Sequence, residues 1–283
     1  MSPEAIMARH ARSFAPATRL LARVDRARVA RLYTLCRTID DIADEIAGDV
    51  GRATLEKLQA DLERPDTDCP LAMQAHELFH GRPDGLEAMR QLVAAAAADT
   101  GSTCIADETA LDEYCMGVAG TVGVMICALF DIDRRWHGAA ADLGKAMQLT
   151  NICRDVEEDA RTARRYLPYT QCPFSPAAIA AGAPDAIAAA SASMARLLDR
   201  ADDLYRSGRD GLVALPIRLR LAVASASAMY AGIGTEVRRR GCAPLLGRAI
   251  VPMERKVGLV IGALLRETTR TLRSEGPSAH VRT

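Results

Sequence analysis

The sequence predicts an all-α protein. Apolar residues recur at intervals of three and four over long stretches, as they do on a helix with one buried face. Aromatic residues make up only 4% of a chain that is 49% hydrophobic and rich in Ala and Leu. That balance favours helices, because strands draw on β-branched and aromatic side chains. No strand-rich region, fixed-period repeat or linker interrupts the 283 residues. Residues 1–283 therefore read as a single helical domain.

The first long helix is expected from Pro16 to Ile46, closing at Gly48, a residue suited to a helix C-terminus. Leu32, Leu35, Ile39, Ile42 and Ile46 form its apolar stripe, and Tyr33, Arg37, Asp40 and Asp44 recur on the opposite side. Arg64-Pro65-Asp66 and the segment Gly81 to Gly85 are breaks. A helix follows from Leu86 to Asp99, and another from Asp107 to Phe130. In the latter, Gly117, Gly120 and Gly123 recur every three residues. Such a series means close helix packing or a smooth wall for a long apolar ligand. Asp142 to Arg161 is the next helix. Pro168, Pro173 and Pro176 mark the longest irregular connection. Three more helices are expected near 184–208, 210–239 and 246–273, and the chain after Ser274 is expected to fray.

The 36 Lys and Arg residues balance 36 Asp and Glu, so total charge gives no reason to expect a nucleic-acid partner. The run Arg238-Arg239-Arg240 reads as a solvated helix end, or as a contact for an anionic ligand or membrane surface. Eight cysteines are scattered without a CxxC spacing, which suits reduced, buried thiols in the cytoplasm. The N-terminus has no signal-peptide pattern, because Arg9, His10 and Arg12 interrupt any apolar run. No stretch is expected to supply the roughly 20 apolar residues of a transmembrane helix. Peripheral membrane association stays compatible with that, and the oligomeric state is left open.

Two acidic pairs point to chemistry. Asp40 and Asp44, and Asp155 and Asp159, each stand four residues apart, one turn along a helix face. Like charges at that spacing repel, so a pair becomes favourable when a divalent cation sits between its carboxylates. Mg²⁺ prefers oxygen ligands and commonly binds through a few carboxylates, water and substrate phosphates. Gln148, Asn151, Asp155 and Asp159 share one helix face, and amide carbonyls add ligands without charge. Arg37 and Arg154, beside the acidic motifs, suit diphosphate oxygens through bidentate hydrogen bonds. His10 alone reads as a surface histidine, and Tyr33, Tyr114 and Tyr230 alone as core residues with satisfied hydroxyls.

Other motifs carry less. Glu77-Leu78-Phe79-His80 matches one Glu-x-x-His element of a di-iron bundle, but such a site needs two. Gly232-Ile233-Gly234 lacks the strand and third glycine of a dinucleotide fingerprint. Neither a P-loop nor a serine nucleophile elbow is present.

Arg31 to Glu45 (RLYTLCRTIDDIADE) and Gln148 to Ala160 (QLTNICRDVEEDA) resemble the two signature motifs of the squalene and phytoene synthase family. The likeness continues through Arg165-Tyr166-Leu167-Pro168, the segment Tyr114 to Gly123, the N-terminal His10 to Phe14, and Arg248, Val251-Pro252 and Lys256. Met116 departs from it, standing where many members carry an aromatic residue or histidine. The resemblance implies an all-α isoprenoid-synthase fold with a central cavity. It also implies head-to-head joining of two prenyl diphosphates with Mg²⁺ or Mn²⁺ and without NADPH. Carried over by position, Asp40, Asp44, Asn151, Asp155 and Asp159 would hold metal. His10, Arg37, Gln148, Arg154, Arg248 and Lys256 would bind diphosphate, and Tyr33, Tyr114 and Tyr230 would line the reacting centre. Two geranylgeranyl diphosphates giving phytoene is the leading expectation. A C15-using relative making dehydrosqualene, squalene or presqualene diphosphate is the nearest alternative, and a non-catalytic assembly protein is an alternative of another class.

Overall fold

The computed structural model describes residues 2–10, 15–45, 48–101 and 103–274. Thirteen α-helices account for most of them. They are α1 (Pro3–His10), α2 (Ala15–Thr18), α3 (Arg23–Glu45), α4 (Gly48–Asp61), α5 (Pro70–Leu78), α6 (Pro83–Ala98) and α7 (Glu108–Cys115). After a π-helical turn at Met116–Gly120 come α8 (Thr121–Leu129), α9 (His137–Arg161), α10 (Pro176–Ala180), α11 (Pro184–Gly211), α12 (Ile217–Arg239) and α13 (Met253–Ser274). Among the described residues the only β-type pairing is an isolated bridge between Cys104 and Arg165. The all-α expectation holds.

Helix α9 is the axis, packing on α11, α8, α12, α10 and the π turn. Leu149, Ile152 and Cys153 of α9 are buried with Leu197, Leu198 and Tyr205 of α11. A second core joins α3, α4, α5, α6 and α8 through Leu32, Leu35, Ile39, Leu55, Met89 and Leu92. The stripe expected on α3 is thus the face it buries, with Ile42 half-buried at its end. Ile46 lies outside the described residues. A third cluster gathers Met7, Leu21, Leu212, Leu219 and Ala263.

Several boundaries differ from expectation. The first long helix begins at Arg23 rather than Pro16, after a separate short α2. Gly48, at φ +25°, opens α4 rather than closing α3. Helices α4 and α5 had no counterpart in the sequence reading. Asp107 is a true helix start, its side chain accepting from Ala110 N. Glu77 pairs with Arg31 at 2.9 Å, a structural role that leaves no di-iron element. Against expectation, Glu108–Leu129 is long and apolar enough to cross a membrane by length and composition alone. Here it is interrupted by the π turn and packs between α6 and α9. The residues after Ser274 lie outside the described residues.

The glycine series mainly serves packing. A Cβ on Gly117 would strike Ala95, and one on Gly123 would overlap the Ala140 carbonyl. Gly144 of α9 answers with the Ala119 carbonyl. Gly144→Ala would gain up to ~1 kcal/mol in helix propensity. Overpacking costs about 1–3 kcal/mol, and a backbone carbonyl cannot swing aside. Thermal unfolding of this variant is therefore expected at a lower Tm than wild type. A higher Tm would mean that the helices are not this close.

Candidate active site

A cavity of about 290 Å³ lies between α3, α8, α9 and α12. Its wall is apolar, with Leu32, Val122, Ile126, Leu143, Met147 and Leu219 among the contributors. The polar side chains lining it include Tyr33, Gln148, Asn151 and Tyr230. Four positions singled out in the sequence are therefore brought together, and the periodicity explains how. On α3 the face carrying Tyr33 turns away from the buried stripe and continues through Arg37 to Asp40 and Asp44. On α9, Gln148 and Asn151 lead one and two turns later to Asp155 and Asp159.

The two acidic ends meet through Arg164. Its Nη1 donates to Asp44 Oδ1 at 2.8 Å, and its charge also stabilises the ionised form of Asp159. Arg37 pairs with Asp41. Arg154 makes a bidentate pair with Asp155, at 2.8 and 2.6 Å. Arg248 reaches Asp155 from the loop before α13 at 2.9 Å. Gly247, at φ +66°, donates its N–H to Glu157 Oε2 at 2.8 Å and anchors that loop to α9. Asp44 and Asp155 therefore already have arginine partners.

Asp40 and Asp159 differ from them. Asp40 is solvent-accessible yet surrounded by protein atoms, as in a concavity. Desolvation pushes its carboxyl up to about 7; Arg37 opposes this, and Asp44, Asp41 and Asp99 add to it. Asp159 is also pushed up to about 7, by burial first and then by Asp155 and Glu158. Each feels more negative neighbours than positive ones, and Asp99 acts on both.

Two polar atoms are left over in the same region. Asn151 Oδ1 is buried without a hydrogen-bond partner, although its Nδ2 donates to Gln148 Oε1 at 3.4 Å. Arg37 Nε is likewise buried and unbonded. An unmet buried polar atom costs about 1–3 kcal/mol, so both suit a partner that arrives with a ligand. Among the described residues no three His, Cys, Asp or Glu side chains converge closely enough to hold a metal by themselves. A cation here would take ligands from water or phosphate as well, which is how Mg²⁺ commonly binds.

Burial raises the hydroxyls of Tyr33 and Tyr230 above their ordinary range, and Tyr230 lies close enough to Tyr33 to disfavour its ionisation further. Tyr114 is not among the cavity-lining residues but stands beside the acidic motifs, bonded to Asp99, whose charge acts on both Asp40 and Asp159. It stacks on Tyr166, with ring centroids 4.9 Å apart. Both hydroxyls donate to Asp99 Oδ2, at 3.1 and 2.9 Å, while Thr103 donates to Oδ1 at 2.6 Å. Sequence reading passed over Asp99 and Arg164, since each is a lone charged residue beside a turn with no periodic partner. Arg165 is buried, giving its donors to the carbonyls of Leu167, Phe174 and Ile105, and so pins the loop bearing Tyr166. Lys256 stands in the first turn of α13 without an ion pair among the described residues. The side chain of His10 lies outside the described residues.

A family model described as squalene/phytoene synthase matches residues 7–255. A 15-cis-phytoene synthase of Enterobacter agglomerans is 32% identical over 281 residues, covering 94% of this chain and 95% of that protein. The 15-cis-phytoene synthase of Pantoea ananas is 30% identical, covering 96% and 93%. Among solved structures, a dehydrosqualene synthase in complex with ligand superposes with a TM-score of 0.82 at 26% identity, covering 94% of this chain and 95% of that one.

Proposed function

Because the chain belongs to the squalene/phytoene synthase family, we propose that it is a prenyltransferase joining two geranylgeranyl diphosphates head to head to give phytoene. The observation that supports this reading best is the apolar cavity whose polar end leads directly into both acidic motifs. It suits a molecule with a long hydrocarbon tail and a doubly charged head.

The reading assigns roles to this chain's own residues. Arg37, Arg154, Arg248 and Lys256 bind the diphosphate oxygens, with His10 and Gln148 assisting. The arginines can exchange their present carboxylate partners for phosphate, because the geometry of both acceptors matches the planar fork. Asp40, Asp44, Asn151, Asp155 and Asp159 fit Mg²⁺ or Mn²⁺: a hard, oxygen-only donor set with two under-compensated carboxyls and an unmet carbonyl. The cation, when bound, neutralises the charge of the departing diphosphate.

Loss of diphosphate from one substrate leaves an allylic cation, which the double bond of the second attacks; proton loss then closes a cyclopropylcarbinyl diphosphate. A second ionisation, with rearrangement and proton loss, gives the linear triene. The apolar wall excludes the water that would quench these cations, and the Tyr33 and Tyr230 rings face positive charge favourably. Raised hydroxyl pKa values keep both tyrosines neutral, hence weak bases. The released diphosphate is the better acceptor for the final proton. The reading also places the enzyme in the cytoplasm, with any membrane contact peripheral.

Separate incubations with C15 and C20 diphosphates, each with and without NADPH, test the substrate assignment. Phytoene from the C20 substrate, unaffected by NADPH, is expected. A C30 product formed far more efficiently would move the chain to its dehydrosqualene-making relatives. Arg37→Lys and Arg248→Lys retain charge but lose the fork. Each is expected to raise KM several-fold, and wild-type kinetics in both would remove these arginines from the site.

A further inference from the structure

Position along the cavity tracks position along the helices that build it. On α9 the lining residues run from Asn151 and Gln148 through Met147, Leu143 and Ala140 to Trp136, immediately before the first turn. The polar members stand at one end of that series and Trp136 at the other. Helix α12 repeats the gradient, from Tyr230 through Val223 and Leu219 to Leu215, just before its start. Leu215 and Leu219 share the third core cluster with Leu21 and Leu212, and all four line the cavity.

Trp136 is the largest side chain at the apolar end, and its neighbours hold it. A Cβ on Gly211 would touch the ring, 3.9 Å from Cε3, so α11 backs the indole closely. The guanidinium of Arg135 lies over the ring, 5.5 Å from its centroid, in a cation–π contact. Asp133, Arg134 and Arg135 are exposed, so the apolar lining gives way here to charge and water. The distance from the polar end is set by α9. Asn151 lies fifteen residues beyond Trp136, about 22 Å at the rise of an α-helix. An extended chain advances about 3.5 Å per three bonds, so an isoprene unit of four bonds adds about 4.7 Å. Four units reach about 19 Å and end at the indole, three reach about 14 Å and stop short, and five reach about 23 Å and overrun it.

We propose that Trp136 is the stop that sets prenyl chain length, touching the last of four isoprene units and refusing a fifth. The inference rests on the prenyl diphosphate reading of the cavity and adds to it the residue that measures the tail. Ala140, also on the cavity wall, stands one helical turn nearer the polar end. A larger side chain there would move the stop inward by about one isoprene unit, and removal of the indole would move it outward.

Trp136 is the only tryptophan in the chain, so intrinsic fluorescence reports on it alone and needs neither a variant nor turnover. The probes are the non-ionising S-thiolodiphosphate analogues of the C15 and C20 substrates with Mg²⁺, their binding measured by calorimetry. Both are expected to bind, and only the C20 analogue should shift the indole emission to the blue. An equal shift from both, or none from bound C20 analogue, overturns the proposal while leaving the prenyl diphosphate reading intact. If neither analogue binds, that reading falls and the inference with it. Turnover supplies the second arm, as kcat/KM for C15, C20 and C25 diphosphates. Trp136→Ala should raise the C25 to C20 ratio about tenfold, and Ala140→Leu the C15 to C20 ratio by a similar factor. Unchanged length preference in both variants, each with wild-type circular dichroism, would equally overturn the proposal.

Discussion

Asp40→Asn or Asp159→Asn is expected to lower turnover by roughly two to three orders of magnitude, the scale set by losing one preorganised electrostatic partner. The helical fold should survive. Both carboxyls are pushed up to about 7, above their unfolded value. A carboxyl raised in this way favours the folded state at low pH, and that stability is lost as pH rises through about 7. At pH 8, an uncharged Asn removes a repulsion, so the Tm of either variant should equal or exceed that of wild type. Asp155→Asn behaves differently. It leaves Arg154 and Arg248 without their shared carboxylate, so both rate and Tm should fall. Steady-state rates and thermal unfolding check all three variants. Full activity of Asp40→Asn and Asp159→Asn at saturating Mg²⁺ would remove these residues from the site.

Removal of divalent cations is expected to abolish turnover, with Mg²⁺ or Mn²⁺ restoring it. The acidic pairs then face a diphosphate head with nothing to screen the repulsion, and the few nearby arginines already hold carboxylates. Protons compete with metal for Asp40 and Asp159, so the Mg²⁺ concentration for half-maximal rate should rise as pH falls below 7. The slope approaches about tenfold per pH unit for each proton displaced. Binding to the folded state alone also stabilises it. Mg²⁺ together with inorganic diphosphate should therefore raise the Tm. Undiminished turnover in excess chelator, or a half-saturating concentration independent of pH, would show that these carboxyls do not hold the ion.

Much of this was legible in the sequence because helical periodicity carries position. The intervals linking Tyr33 to Asp44 and Gln148 to Asp159 forecast which residues share a face, and the buried stripe of α3 forecast which way that face points. Periodicity says nothing about contacts between helices. Arg164 meeting Asp44 and Asp99 gathering Tyr114 and Tyr166 are such contacts, formed across long sequence separations. Tyr114 thereby faces a carboxylate instead of the cavity. Gly123 illustrates the same limit: the series allowed close packing or a cavity wall, and Gly123 both packs on Ala140 and lines the cavity. Gly48 was misjudged because a residue with positive φ can begin a helix as well as follow one.

The most direct test is product analysis after incubating the protein with geranylgeranyl diphosphate and Mg²⁺, by mass and ultraviolet spectrum. A C40 hydrocarbon with the absorbance of a conjugated triene, formed with release of two diphosphates, is predicted. Recovery of unreacted substrate, or of geranylgeraniol from simple hydrolysis, would contradict the account.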